Sequence, residues 1–427
     1  MKDSIKPVWK YLAYAALVFC LICCRFDETR RSVFENFSEN LVCGVMYAKQ
    51  NDLNISQDRY GLGTLLVDDS AFGNDYPAYY QSTNTFQGTA GAGQTDGLKY
   101  QFGSYVSQVG LQGHVVGIIA QYIRTPKLYW ALRICCIAAL ETTLFLITLQ
   151  LKKRYGYLFA GVFLIVSTAS PWITNFAANL YWVEFTWFVP MLLGLLCLNY
   201  PSKRGWFYPL VFLAVLAKCL CGYEYITTVM IGAVLFLCEA WYTNKSERTR
   251  LFRTILGVGI ACVLGFAVAY VIHAYLYGNG NIAVGAVAFF HDTVLRRSLG
   301  NAADYTGITA ETLRASMFAV LWKYLWHNLA GKGTLCILLA AVACLAAEKR
   351  IWHETPHQKI ALLVLSFWGS ASWFMLGKGH SYMHTPLNFV MWHMGFMQIA
   401  AYIIVSFFWK HRDFFCSKTI SERSVDE

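Results

Sequence analysis

Charge is what this sequence has least of. Only 14% of its 427 residues are Asp, Glu, Lys or Arg, while 56% are hydrophobic. That balance excludes a soluble catalytic domain, and no internal repeat or low-complexity segment suggests an array. Paired CxxC clusters are missing too, although the chain has 14 cysteines. Cys20, Cys23, Cys24, Cys135, Cys136, Cys262 and Cys344 lie in apolar segments, where thiols read as small polarizable packing groups, not as a disulfide framework or zinc site. No A-x-A-like cleavage site follows the first apolar segment, so that segment is expected to stay as a signal anchor.

What is present is a succession of apolar runs of roughly 15 to 24 residues, each ended by a short charged loop. Lipid offers no partners to backbone polar groups, so such runs must be helices. The expected fold is an all-α polytopic membrane protein with about ten transmembrane helices. The net charge of +10 belongs to the loops assigned to the cytoplasm, among them Lys152-Lys153-Arg154, 202–204, 245–253 and 349–359. The positive-inside rule accounts for that excess and puts both termini in the cytoplasm. A nucleic-acid partner is not implied.

The organisation divides into residues 1–155, with the anchor, a long first outer loop and the second span, and residues 156–427, with the remaining spans and a second outer loop at 278–317. In the first loop, apolar residues from Val33 to Met46 recur at helical three-and-four spacing over Arg31 to Ala48. The spacing predicts an amphipathic helix, either lying on the bilayer or packed on other extracytoplasmic structure. Residues 50–99 read as loop with little regular structure. Tyr76, Tyr79, Tyr80, Gln81 and Asn84 there are candidates for stacking and hydrogen bonding to a sugar. Residues 100–123 are expected to return to helix. The second span carries Arg133, close enough to its outer end to snorkel, and Glu141, a deep charge needing a partner or cavity.

Candidate site residues gather at the outer boundary. Asp27-Glu28-Thr29-Arg30 follows the anchor directly, where adjacent carboxylates shift one another's pKa and arginines can hold anions. Glu184 and Glu224 fall on the same face, in short connections. Arg296-Arg297 in the second outer loop breaks the positive-inside pattern and suits a phosphate or diphosphate, or anionic headgroups. Lys378, His380 and His384 follow the ninth span as candidate phosphate or hydroxyl contacts. The two histidines are four apart, a spacing that can bind metal on a helix, but Pro386 and nearby glycines argue against a helix there.

An anchor, an acidic pair opening a long first outer loop, and many further spans resemble the GT-C superfamily of polytopic glycosyltransferases, which use polyprenyl-phosphate-linked sugars. Asp27-Glu28-Thr29-Arg30 is similar to the D-E-x-R stretch of its aminoarabinose and mannosyl transferases. The likeness covers about the first 155 residues and the later helical layout loosely. It implies that Asp27 is the general base or positions the acceptor, that Glu28 supports it, and that Arg30 orients the acids or the donor phosphate. Glu184, Glu224, Arg296, Arg297, Lys378, His380 and His384 are substrate-binding candidates by placement, not by family motif. No cofactor is assigned, and a divalent metal is left open. The implied partners are a polyprenyl-phosphate-linked sugar donor, a glycan, lipid or protein acceptor, and membrane lipids.

Two features depart from that family. The chain has a short tail after Trp409 where many members carry a soluble domain, and it lacks the W-W-D-type motif of oligosaccharyltransferases. The rival readings are an arginine-based surface-glycan polymerase or ligase, a non-enzymatic lipid-linked-glycan transporter or flippase, and an accessory subunit. Sequons at Asn36 and Asn54 matter only in a eukaryote. Compact loops favour a bacterial inner membrane.

Overall fold

The long apolar runs do become helices, and polar residues at their ends set where they start and stop. Our computed structural model describes residues 2–25, 37–52, 59–67, 100–125 and 127–412, with the backbone alone for 2–10, 37, 64–67, 100–102 and 297. Among the described residues, six helices are long and apolar enough to cross a membrane: Leu128–Tyr155, Pro201–Cys221, Ile226–Thr243, Lys245–Tyr277, Leu329–Ile351 and His357–Leu376. Thr385–His393 and Phe396–Lys410 add a span bent by 49°. Tyr11–Arg25, Tyr157–Ala169 and Phe185–Asn199 are shorter apolar helices. The chain is thus a mainly α-helical, multi-pass membrane protein.

Close approach holds the bundle together. A Cβ added at Gly194 would collide with the Ala233 carbonyl, and one at Gly265 with the Phe212 carbonyl. Small residues let helices touch backbone to backbone, which replaces the hydrophobic drive that lipid removes. Buried charges act as a second fastening. Arg25, at the end of Lys2–Arg25, pairs with Glu141, donates to Thr174 Oγ1 at 2.6 Å and donates to the Ser167 carbonyl at 2.7 Å. Glu141 is therefore the anionic half of a fully buried pair.

The stretch from the anchor into the second span settles one expectation and changes three. The helix Asn40–Gln50 is buried on nearly every side, so of its two expected settings it takes the packed one. Residues 63–67 form a strand paired antiparallel with Tyr100–Ser104, Gly63 opposite Ser104. The expected helix over 100–123 therefore begins only at Leu111. Arg133 does not snorkel; it donates to Glu39 at 2.7 Å and to the Tyr129 hydroxyl. Glu39 also accepts from Tyr129 Oη at 3.0 Å and from the Leu180 backbone N–H at 2.9 Å. Tyr76, Tyr79, Tyr80, Gln81 and Asn84 lie outside the described residues.

The stretch 278–317 is also largely helical where loop was expected. Asn281 accepts from the Val284 N–H and Ser316 from the Ala319 N–H, capping Ile282–Phe289 and Met317–Trp326. Side-chain oxygens at these starts satisfy donors that a helix leaves free. Between them Phe290–Leu299 winds as a wide π-helix, a form that is rare and concentrates at functional sites.

Candidate functional site

Three connections between long helices converge on one cavity of about 240 Å³, lined among others by Glu224, Arg296, His380 and His384. Glu224 stands in the turn between Arg204–Cys221 and Ile226–Thr243. Lys218 Nζ closes that turn by donating to the Gly222 carbonyl at 2.6 Å. A side chain at position 222 would strike both the Glu224 carboxylate and the Gln108 amide, so glycine there gives Glu224 its room. The helix Leu111–Tyr122 docks on the same turn, with Gln112 Nε2 donating to the Cys221 and Tyr181 carbonyls at 2.9 Å each.

Tyr225, next to Glu224, is a non-glycine residue at φ 63°. Left-handed backbone costs of order 1–3 kcal/mol and persists where surroundings enforce it. Here Trp182 stacks on the Tyr225 ring at 5.8 Å and Trp187 meets its face edge-on at 4.9 Å. Its hydroxyl donates to Asn388 Oδ1 at 2.8 Å, and Asn388 Nδ2 lies 3.2 Å from His380 Nδ1. With Oδ1 accepting, Nδ2 is the donor, so the neutral His380 ring carries its proton on Nε2. Asn388 is fully buried, and it fixes the ring against rotation.

The expected disruption of helix by Pro386 and the glycines does not occur before His384. Lys378–Met383 forms one and a half turns, and the His380 and His384 rings lie 4.7 Å apart. Among the described residues no group of three or more His, Cys, Asp or Glu side chains is placed to hold a metal ion. Arg296 projects from the π-helix; its Nε donates to the Asp292 carbonyl at 3.1 Å, and its two Nη groups have no hydrogen-bond partner among the described residues. Asp292 accepts from the Tyr277 hydroxyl, a bond that holds its carboxyl below the usual carboxylate range.

A second cavity, of about 280 Å³, shares Glu224 and His380 with the first and is otherwise mostly apolar, with Phe266, Phe289, Leu299, Met317 and Leu376 among its walls. The two cavities therefore share one glutamate and one histidine in their walls, the first carrying the charged and polar side chains and the second lined mostly by apolar ones. Tyr105 and Tyr181 complete the polar chamber. Nothing in the sequence separates these two tyrosines from other interfacial aromatics.

The other sequence candidates fall elsewhere. Lys378 Nζ donates to the Leu313 and Ala315 carbonyls at 2.7 and 3.1 Å; it ties a helix end down and does not line the polar chamber. Glu184 is fully buried, and neither carboxylate oxygen has a hydrogen bond among the described residues. Asp27, Glu28 and Arg30 lie outside the described residues, as does the side chain of Arg297. No family model matches the chain, and neither a curated protein nor a solved structure is significantly similar to it.

Proposed function

We propose that the chain is a membrane glycosyltransferase that moves a sugar from a polyprenyl-phosphate donor to an acceptor at the extracytoplasmic face. The observation that carries this reading is the pair of neighbouring cavities that share Glu224 and His380 in their walls. The first is lined by Arg296, His380 and His384, and the second, which also has Glu224 and His380 in its wall, is otherwise mostly apolar. A lipid-linked phosphate has the same division, a charged head on an apolar chain. As the sugar–phosphate bond breaks, negative charge gathers on the departing phosphate, and a guanidinium with unused N–H groups is suited to stabilise it. Histidines four residues apart supply further donors.

In this reading the bent pair and the three shorter apolar helices all cross the membrane, giving ten spans with both termini cytoplasmic, in a bacterial inner membrane. Asp27 positions the acceptor, with Glu28 and Arg30 in support. An arginine-based glycan polymerase or ligase is the second reading, favoured by Arg296 being the one cation in the polar chamber among the described residues.

The test is sugar transfer in proteoliposomes from a radiolabelled set of polyprenyl-phosphate sugars, with polyprenyl-diphosphate oligosaccharides alongside. Wild type is expected to use a monophosphate donor. Arg296→Gln should raise the donor KM about 10- to 100-fold, the worth of one or two charge-assisted bonds. Asp27→Asn should lower kcat. Transfer from diphosphate donors alone would establish the second reading instead, and no transfer from either class would overturn both.

A further inference from the structure

Among the described residues, the buried carboxylates divide into those that are paired and those that are not. Glu39 has Arg133, Glu141 has Arg25, and Glu348 has Lys359 at 2.5 Å. Glu239 accepts from Tyr155 at 2.5 Å and Gln358 at 2.9 Å. Two stand apart. Glu184 is sealed on all sides, with no opening through which a ligand reaches it. Glu224 is 9% exposed, makes no hydrogen bond or ion pair among the described residues, and lines both chambers.

Leaving a buried carboxylate without a hydrogen bond or ion pair is costly. A cavity whose sole task is to hold an anion gains nothing from a fixed negative charge in its wall, because like charges in a site repel. The fold nevertheless goes to lengths to place it. Glycine at 222 clears its space, Lys218 closes the turn beneath it, and Tyr225 is kept in a left-handed conformation directly after it. The Gln108 amide, which borders the same space beside Gly222, is neutral and cancels no charge. A carboxylate held this way, in the walls of both chambers, is what deprotonation of a hydroxyl or amine requires.

Resting on the transferase reading, we infer that Glu224 is the catalytic base of the reaction, and that Asp27 is left with positioning the acceptor. The acceptor O–H or N–H gives its proton to a Glu224 carboxylate oxygen. The freed electron pair forms the new bond to the anomeric carbon of the sugar. The bond between that carbon and the phosphate oxygen breaks, and its electrons leave with the lipid phosphate toward Arg296. His380, held by Asn388, lines the same cavity as Glu224 and Arg296.

The test compares wild type, Glu224→Gln and Glu224→Asp in proteoliposomes with radiolabelled polyprenyl-phosphate sugars, and measures farnesyl phosphate binding to each protein by tryptophan fluorescence. Glutamine keeps the shape and removes the charge, so Glu224→Gln is expected to fold and to bind farnesyl phosphate at least as tightly as wild type. Its kcat should fall about 100-fold or more, the usual worth of a general base, with donor KM within threefold. Glu224→Asp should retain a measurable fraction. If wild type transfers sugar and Glu224→Gln stays within threefold of it in kcat, the assignment of Glu224 is overturned while the transferase reading stands. The same holds if Glu224→Gln loses farnesyl phosphate binding along with activity, which would make Glu224 a structural or binding residue. If wild type transfers nothing, the transferase reading falls and takes the assignment with it.

Discussion

Single residues carry opposite burdens in this protein depending on what surrounds them. Glu39 and Glu224 are both buried acids, yet Glu39 is fully paired and Glu224 has no hydrogen bond or ion pair among the described residues. Glu39 ties the helix Asn40–Gln50 to Leu128–Tyr155 and to the backbone of Leu180 at once. Removing one member of a buried pair strands the other, at a typical cost of about 3–5 kcal/mol. Glu39→Ala should therefore lower the thermal midpoint in detergent markedly, whereas Glu224→Gln, which relieves an uncompensated charge, should leave it unchanged or raise it. Equal destabilisation by the two would mean that Glu224 has a hidden structural partner. Sequence could place Arg133 near a helix end but could not show that Glu39, 94 positions earlier, waits beside it. Snorkelling was the reading that local spacing allowed.

At the scale of elements, what sequence makes legible follows from which forces are local. Tyr157–Ala169 and Phe185–Asn199 begin and end where their apolar runs do, because flanking polar residues decide both limits. Asn40–Gln50 has the same three-and-four spacing as a surface helix, but Cys43, Gly44 and Ala48 are small enough to let neighbours close in on the remaining faces. The strand 63–67 is short, and its partner lies some 37 residues away, beyond what alternation in one stretch reveals. The last span breaks where Gly395 takes φ 129°, a region that L side chains rarely adopt. Gly395→Ala should cost ~1–3 kcal/mol in unfolding free energy, measured by chemical denaturation in mixed micelles. It should also lower transfer, since the first half of the bent pair carries Asn388 and with it the orientation of His380. A stability unchanged by Gly395→Ala would show that the bend does not depend on glycine.

Across the whole molecule, residues far apart in sequence meet at one place. Glu224, Arg296, His380 and His384 were each singled out because they stand at the ends of apolar runs on one expected side, and the folded chain brings all four into one chamber. The reason they meet, the hydrogen-bond path from Tyr225 through Asn388 to His380, spans 163 positions and leaves no local trace. The apolar chamber was not legible at all. Its walls are ordinary residues of Arg248–Tyr277, the 282–299 segment and His357–Leu376, and no local pattern in any of them marks a cavity. Lys378 shows the reverse error: placed correctly at a helix end, it is spent on two carbonyls.

The most direct test of the paired chambers is photocrosslinking with a farnesyl phosphate that carries a diazirine near the end of its chain, mapped by mass spectrometry in reconstituted protein. Adducts on Phe266, Phe289, Leu299, Met317 or Leu376, lost on competition with unlabelled farnesyl phosphate and weakened by Arg296→Gln, are the predicted result. Adducts spread evenly over the lipid-facing helices, indifferent to competitor and to Arg296, would contradict the account.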